Sequence, residues 1–80
     1  MWKIVEFLYL RLTCRYVFGQ KLTRDMHFRD HVQHEIPVQV YDGSQHIDIG
    51  MVESYSEHFI KINNTAYNRN MYTYISRPGY

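Results

Sequence analysis

Apolar and polar positions alternate along residues 35–64, EIPVQVYDGSQHIDIGMVESYSEHFIKINN, and turn residues separate the runs. Ile36, Val38 and Val40 share one face of an extended segment, and Ile47, Ile49 and Met51 share one face of the next. Phe59, Lys61 and Asn63 then alternate with Ile60, Ile62 and Asn64. A period of two marks half-buried strands. Asp42-Gly43 is a hairpin signal, because glycine accepts the positive φ of a tight turn. Ser56-Glu57 makes the next turn, and Asn63-Asn64 tolerates the left-handed conformation of another. Pro37 lacks an N–H and belongs at a strand start or edge. Gly50 inside a strand predicts a bulge or a sharp bend. A last strand is expected within residues 67–75, where Met71, Thr73 and Ile75 oppose Tyr72 and Tyr74, and Arg77-Pro78-Gly79 stops it. Short strands at this spacing predict a mainly β fold, a small barrel of about five strongly bent antiparallel strands.

The first 34 residues have a different pattern. Leu8, Leu10, Leu12, Cys14 and Tyr16 alternate with Arg11, Thr13 and Arg15, which reads as a strand. Met1, Ile4, Val5 and Leu8 stand at helical spacing, so residues 2–18 stay open between strand and helix. Residues 20–34, QKLTRDMHFRDHVQH, are polar, with an imperfect apolar stripe through Leu22, Met26 and then Phe28 or Val32. They predict a short helix or an irregular excursion over the barrel, with Thr23 as its cap.

Eighty residues make a single domain, 1–80, near the size where one core is only marginally sufficient. Eight tyrosines offer apolar bodies with polar tips, suited to a small core or a wet interface. Homo-oligomerisation would enlarge such a core. Cys14 is the only cysteine, which excludes an intramolecular disulfide and a cysteine-rich zinc site and fits a cytoplasmic protein. Lys3, Glu6 and Arg11 break the N-terminal apolar segment, so neither a signal peptide nor a membrane span is expected. The formal net charge of +1 removes the strong electrostatic argument for nucleic acid.

Three pieces, IPVQVYDG, GMVESYSEHFIKINN and MYTYIS, resemble the bacterial Hfq branch of the Sm-like proteins. The resemblance spans residues 36–76, about half of the chain. It implies an SH3- or Sm-like barrel, assembly into rings and binding of single-stranded RNA. His58 falls where that family has an aromatic stacking on uridine, and a histidine ring can stack on a base. Tyr41 matches a tyrosine that stacks on adenine on the opposite ring face. The chain also departs from the pattern. Glu57 replaces a glutamine, the lysine-histidine pair of the last motif is absent, and the turn between Gly43 and Gly50 is two residues longer. The first 34 residues do not match the family's short N-terminal helix.

Tyr67, Tyr72, Tyr74 and Tyr80 crowd the C-terminal segment, with Arg69 and Arg77 between them. Such a set serves as a stacking platform for single strands or as cross-strand packing and a subunit interface. The candidate nucleic-acid contacts are therefore Tyr41, His58 and Arg69, and the candidate interface residues are Tyr72 and Tyr74. His27, Asp30, His31 and His34 form H-x-x-D-H-x-x-H, which a helix would place on one face. Imidazoles four apart can chelate zinc, and the alternative is an exposed polar face. No serine has the context of a nucleophile and the four glycines are scattered, so neither enzymatic activity nor a cofactor is expected. The expected function is a small non-enzymatic binding protein, an Sm-like RNA-binding subunit. The competing classes are a protein-interaction module built on the aromatic strand and a metal-binding accessory domain.

Overall fold

The structure is a computed structural model that describes residues 16–79. Of the strand or helix expected over residues 2–18, residues 2–15 lie outside the described residues, as do Cys14 and Tyr80, and residues 16–18 form neither.

Strand β1 (Lys21–Leu22) is followed by helix α1 (Asp25–Gln33). Six strands come next: β2 (Val38–Asp42), β3 (Gln45–Gly50), β4 (Val52–Tyr55), β5 (Phe59–Ile62), β6 (Thr65–Asn68) and β7 (Thr73–Ser76). The excursion over residues 20–34 is thus mostly a helix. Its cap differs from the expected Thr23. Arg24 takes the extended N-cap position, and His27 Nδ1 reaches back to accept the N–H groups of Thr23 and Arg24 at 3.0 and 3.1 Å. Asp25 in the first turn suits the positive end of the helix. At the other end Glu35 turns left-handed, with φ of 52°, and Ile36 N–H donates to the His31 carbonyl at 3.1 Å. Ile36 is buried beside this turn, the hydrophobic contact that commonly closes a helix.

The strands form two open antiparallel sheets, in the orders β1-β7-β2-β3 and β4-β5-β6. The mainly β expectation holds, but a closed barrel is not what forms. Among the described residues β6 has β5 alone as a strand neighbour, and the β7 edge away from β2 is covered by β1. The strand expected over residues 67–75 is divided between β6 and β7. Asn68 makes the break: its Oδ1 accepts from Asn70 N–H at 2.9 Å and its carbonyl from Met71 N–H at 3.2 Å. Asparagine favours such a turn because its side chain imitates the backbone.

Met51 alone separates β3 from β4, so one chain run passes from the first sheet into the second just after Gly50. The bend expected at Gly50 lies there. The Gly43-Ser44 loop puts glycine, at φ of 63°, in the first position, where a type II′ hairpin needs it. Asn63 and Asn64, at φ of 51° and 61°, make the β5–β6 turn. Leu22, Phe28, Val38, Val40, Val52, Ile60, Ile62 and Tyr74 form one buried cluster between the helix and the sheets. Each buried strand residue alternates with a more exposed neighbour, as the sequence pattern requires.

Candidate nucleic-acid interface

The outer face of the four-stranded sheet is the candidate site. The registers place Lys21, Ile75, Gln39 and Ile49 in one cross-strand row and Thr73, Tyr41 and His46 in another. Leu22, Tyr74 and Val40 fill the intervening row and point into the core. Arg77 continues the alternation two residues after Ile75. These outer rows carry cations, aromatics and amides, and no carboxylate.

Arg77 is held in a polar and aromatic frame. Its N–H donates to the Pro37 carbonyl at 2.9 Å, which fixes the backbone. Nε donates to Gln39 Oε1, and Nη2 lies 3.4 Å from the Tyr41 hydroxyl. The guanidinium carbon stands 4.6 Å from the centre of the Phe18 ring, a cation–π contact. Phe18 is 60% exposed, and the Tyr41 ring lies 5.6 Å from that of His46. Gly19 approaches so closely that a side-chain carbon there would come within 3.3 Å of Arg77 Nη1. A groove of about 320 Å³ opens between Tyr41, Thr73, Ile75 and Arg77. Among the described residues the ion pairs are Arg29–Asp30 and Arg69–Asp25, so Arg77 has a full positive charge without a carboxylate. The groove can therefore stack a planar ring and hold an anion beside it.

The other sequence candidates are placed elsewhere. His58 is exposed in the β4–β5 turn of the three-stranded sheet, where its N–H lies 3.4 Å from Ser56 Oγ. Arg69 has a structural role. It donates to the Ser56 carbonyl at 2.7 Å, pairs with Asp25 at 2.5 Å and covers the Phe28 ring at 4.8 Å. Its side chain is only 13% exposed, and its charge is already matched. Tyr74 is buried, edge-on to Phe28 at 5.5 Å, with its hydroxyl donating to the Asn68 carbonyl at 3.1 Å. Burial raises its pKa above the ordinary tyrosine value. Tyr72 is half-buried against Tyr67, with ring centres 5.4 Å apart. Tyr74 is a core residue and not an interface residue, because the fold needs a large apolar body opposite Val40.

The histidine face of α1 is partly absorbed into the fold, with His34 exposed at the C-cap. His31 is fully buried. Its Nδ1 lies 2.6 Å from the His27 carbonyl, which only accepts, so Nδ1 carries the proton. Nε2 then accepts from the Ser76 hydroxyl at 2.7 Å, and the Tyr16 ring packs 4.4 Å away. Asp30 accepts a hydrogen bond from the Tyr16 hydroxyl at 2.7 Å. His27 spends Nδ1 on the helix cap. Both nitrogens of His31 are committed, and among the described residues no three histidine, cysteine or acidic side chains gather into a metal-holding group. Burial is the main cause that lowers the His31 pKa, opposed by the His27 carbonyl bond and the Asp30 charge.

Phe18 is a residue of the Arg77 frame that the sequence did not single out, and Arg77, one of the two arginines among the C-terminal tyrosines, was not among the named nucleic-acid contacts. Arg77 also reads as part of a chain stop before proline, and Phe18 ends a segment left open between strand and helix, so periodicity marks neither. No helix among the described residues is long and apolar enough to cross a membrane. No protein-family model matches the chain, and no curated protein or solved structure matches it.

Proposed function

We propose that this chain is a small, non-enzymatic binding protein for single-stranded RNA, with an opened Sm-like architecture. The observation that carries the reading is Arg77, a cation without a carboxylate partner among the described residues, framed by the rings of Phe18 and Tyr41. A base stacks on the exposed aromatic surface, and its phosphate meets the guanidinium. Stacking on one aromatic side chain contributes about 1–3 kcal/mol per base and tolerates any base. The strand sequence supports the architecture. With β3 and β4 taken as one bent strand, the order β7, β2, β3–β4, β5, β6 is a five-strand antiparallel run that does not close. The open outer edge of β6 supports assembly with a second copy.

Fluorescence anisotropy with labelled hexa-adenylate and hexa-uridylate tests this function. Binding should weaken as salt rises, because released counterions contribute to it. Tyr41→Ala and Arg77→Met should each weaken it by about tenfold or more, the loss of one stack or one charge-assisted contact. Absence of binding at low salt, or binding by both variants as tight as that of the native chain, rules the function out.

A further inference from the structure

We infer that the bound strand continues across the sheet from the Tyr41–Arg77 groove to Lys21, so that the site holds two neighbouring nucleotides, with the second phosphate on Lys21. This rests on the RNA-binding reading and specifies its footprint. Lys21 lies directly opposite Ile75 in the β1–β7 ladder, and Ile75 floors the groove that contains Arg77. One strand spacing and two residues along β7 therefore separate the two cations, about 8 Å at the backbone. Both side chains are long enough to reach successive phosphates of an extended strand.

A second cavity lies beside Lys21. It has a volume of about 310 Å³ and is bordered by Lys21, Thr23, Arg69, Tyr72 and Thr73. Thr73 also lines the Tyr41–Arg77 groove. Two cations border this second hollow, and only one of them is free to act. Asp25 and the Ser56 carbonyl satisfy Arg69. The Lys21 ammonium has no hydrogen-bond or ion-pair partner among the described residues, and the residue is exposed. Between Arg77 and Lys21 the sheet presents Ile75, an uncharged side chain over which a sugar–phosphate backbone passes without repulsion.

The salt dependence of binding distinguishes one contacted phosphate from two. For single strands the slope of log K against log salt is about −0.7 per neutralised phosphate. Labelled hexa-adenylate should therefore give a slope of about −1.4 with the native protein and about −0.7 with Lys21→Met. Arg69→Met should retain the native slope. Lys21 is exposed, so its methionine variant should keep the native thermal midpoint. A native slope in Lys21→Met, with Tyr41→Ala and Arg77→Met weakened, overturns the two-nucleotide footprint and leaves the RNA-binding reading standing. If Tyr41→Ala and Arg77→Met bind as the native chain does, or the native chain binds nothing, both readings fall. Competition by poly-glutamate as effective as that by unlabelled hexa-adenylate assigns the face to an acidic protein segment and overturns both.

Discussion

The Asn63 carboxamide occupies the space that a side chain at Gly50 would need. A methyl group at Gly50 would come within 2.6 Å of Asn63 Oδ1 and 2.8 Å of Nδ2. The carboxamide is fixed there because Nδ2 donates to Asp48 Oδ1 and to the Ile49 carbonyl, both at 2.8 Å. Asn63 is also the first residue of the left-handed β5–β6 turn. One contact thus ties the point where the chain leaves the first sheet to the hairpin of the second.

Gly50→Ala should destabilise the protein by about 1–3 kcal/mol, the range for forcing a methyl into filled space. The alanine would displace the carboxamide and break its two hydrogen bonds. Asn63→Gly frees that space and still accepts the positive φ. Urea unfolding should therefore show a smaller cost for Gly50→Ala in the Asn63→Gly background than in the native one. Equal costs in both backgrounds would mean that Gly50 is required for a reason other than Asn63.

Acid should weaken the seam between α1 and β7. The folded protein lowers the pKa of His31, so the unfolded chain holds the extra proton more readily. The stability that neutral His31 contributes is complete above the ordinary histidine value of about 6.5. It is lost as pH falls through that value towards the lower folded one. Ser76, Tyr16, Asp30, His27 and His34 surround the ring; the His27 carbonyl and the Asp30 charge favour its charged form, and the His27 and His34 charges oppose it. Urea midpoints from about pH 7.5 to about pH 5.5 should fall more in the native protein than in His31→Gln, with a limiting difference of about 1.4 kcal/mol per pH unit. The other histidines are common to both proteins and cancel. Parallel curves would exclude a buried neutral His31.

The strands were legible where a local signal set them. Val38 and Val40 alternate, Gly43 and Asn63-Asn64 turn the chain, and each stands in the structure where its chemistry predicts. The division between β6 and β7 was hidden because Tyr67, Tyr72 and Tyr74 continue a strand-like pattern through it. The break depends on the Asn68 side chain capturing Asn70 N–H, which alternation does not encode. The histidine motif was legible as one helix face but not as a metal site or its absence. What decides its role is Ser76, 45 residues away in sequence. Tyr41 is marked by resemblance and Arg77 by its place among the C-terminal tyrosines, but that the two face one groove follows only from the pairing of β2 with β7.

Asp48 and Tyr67 form a second acid-sensitive pair. The Tyr67 hydroxyl donates to Asp48 Oδ2 at 2.6 Å. That bond is the main cause that lowers the Asp48 pKa and pushes Tyr67 up to about 12. Stability from the carboxylate is present above its ordinary value of about 3.9 and is lost as pH falls through the lowered one. Tyr67→Phe should cost about 1 kcal/mol at neutral pH, the usual net value of one hydrogen bond. Most of that difference should vanish in acid. A pH-independent cost would trace the effect to packing against Tyr72 instead.

Ala66→Pro should block self-association without unfolding the chain. Thr65 pairs with Ile62 and Tyr67 with Ile60 across the β5–β6 hairpin, and Arg69 N–H donates to the His58 carbonyl at 2.8 Å. Hydrogen-bonded pairs alternate along an antiparallel ladder, so the Ala66 N–H faces away from β5. Proline at that position removes a donor on the open edge and no bond within the sheet. Light scattering of the native chain should report an oligomer. The proline variant should be a monomer with a circular dichroism spectrum like that of the native protein. A native monomer, or an oligomer that persists in Ala66→Pro, would show that β6 is not the assembly edge.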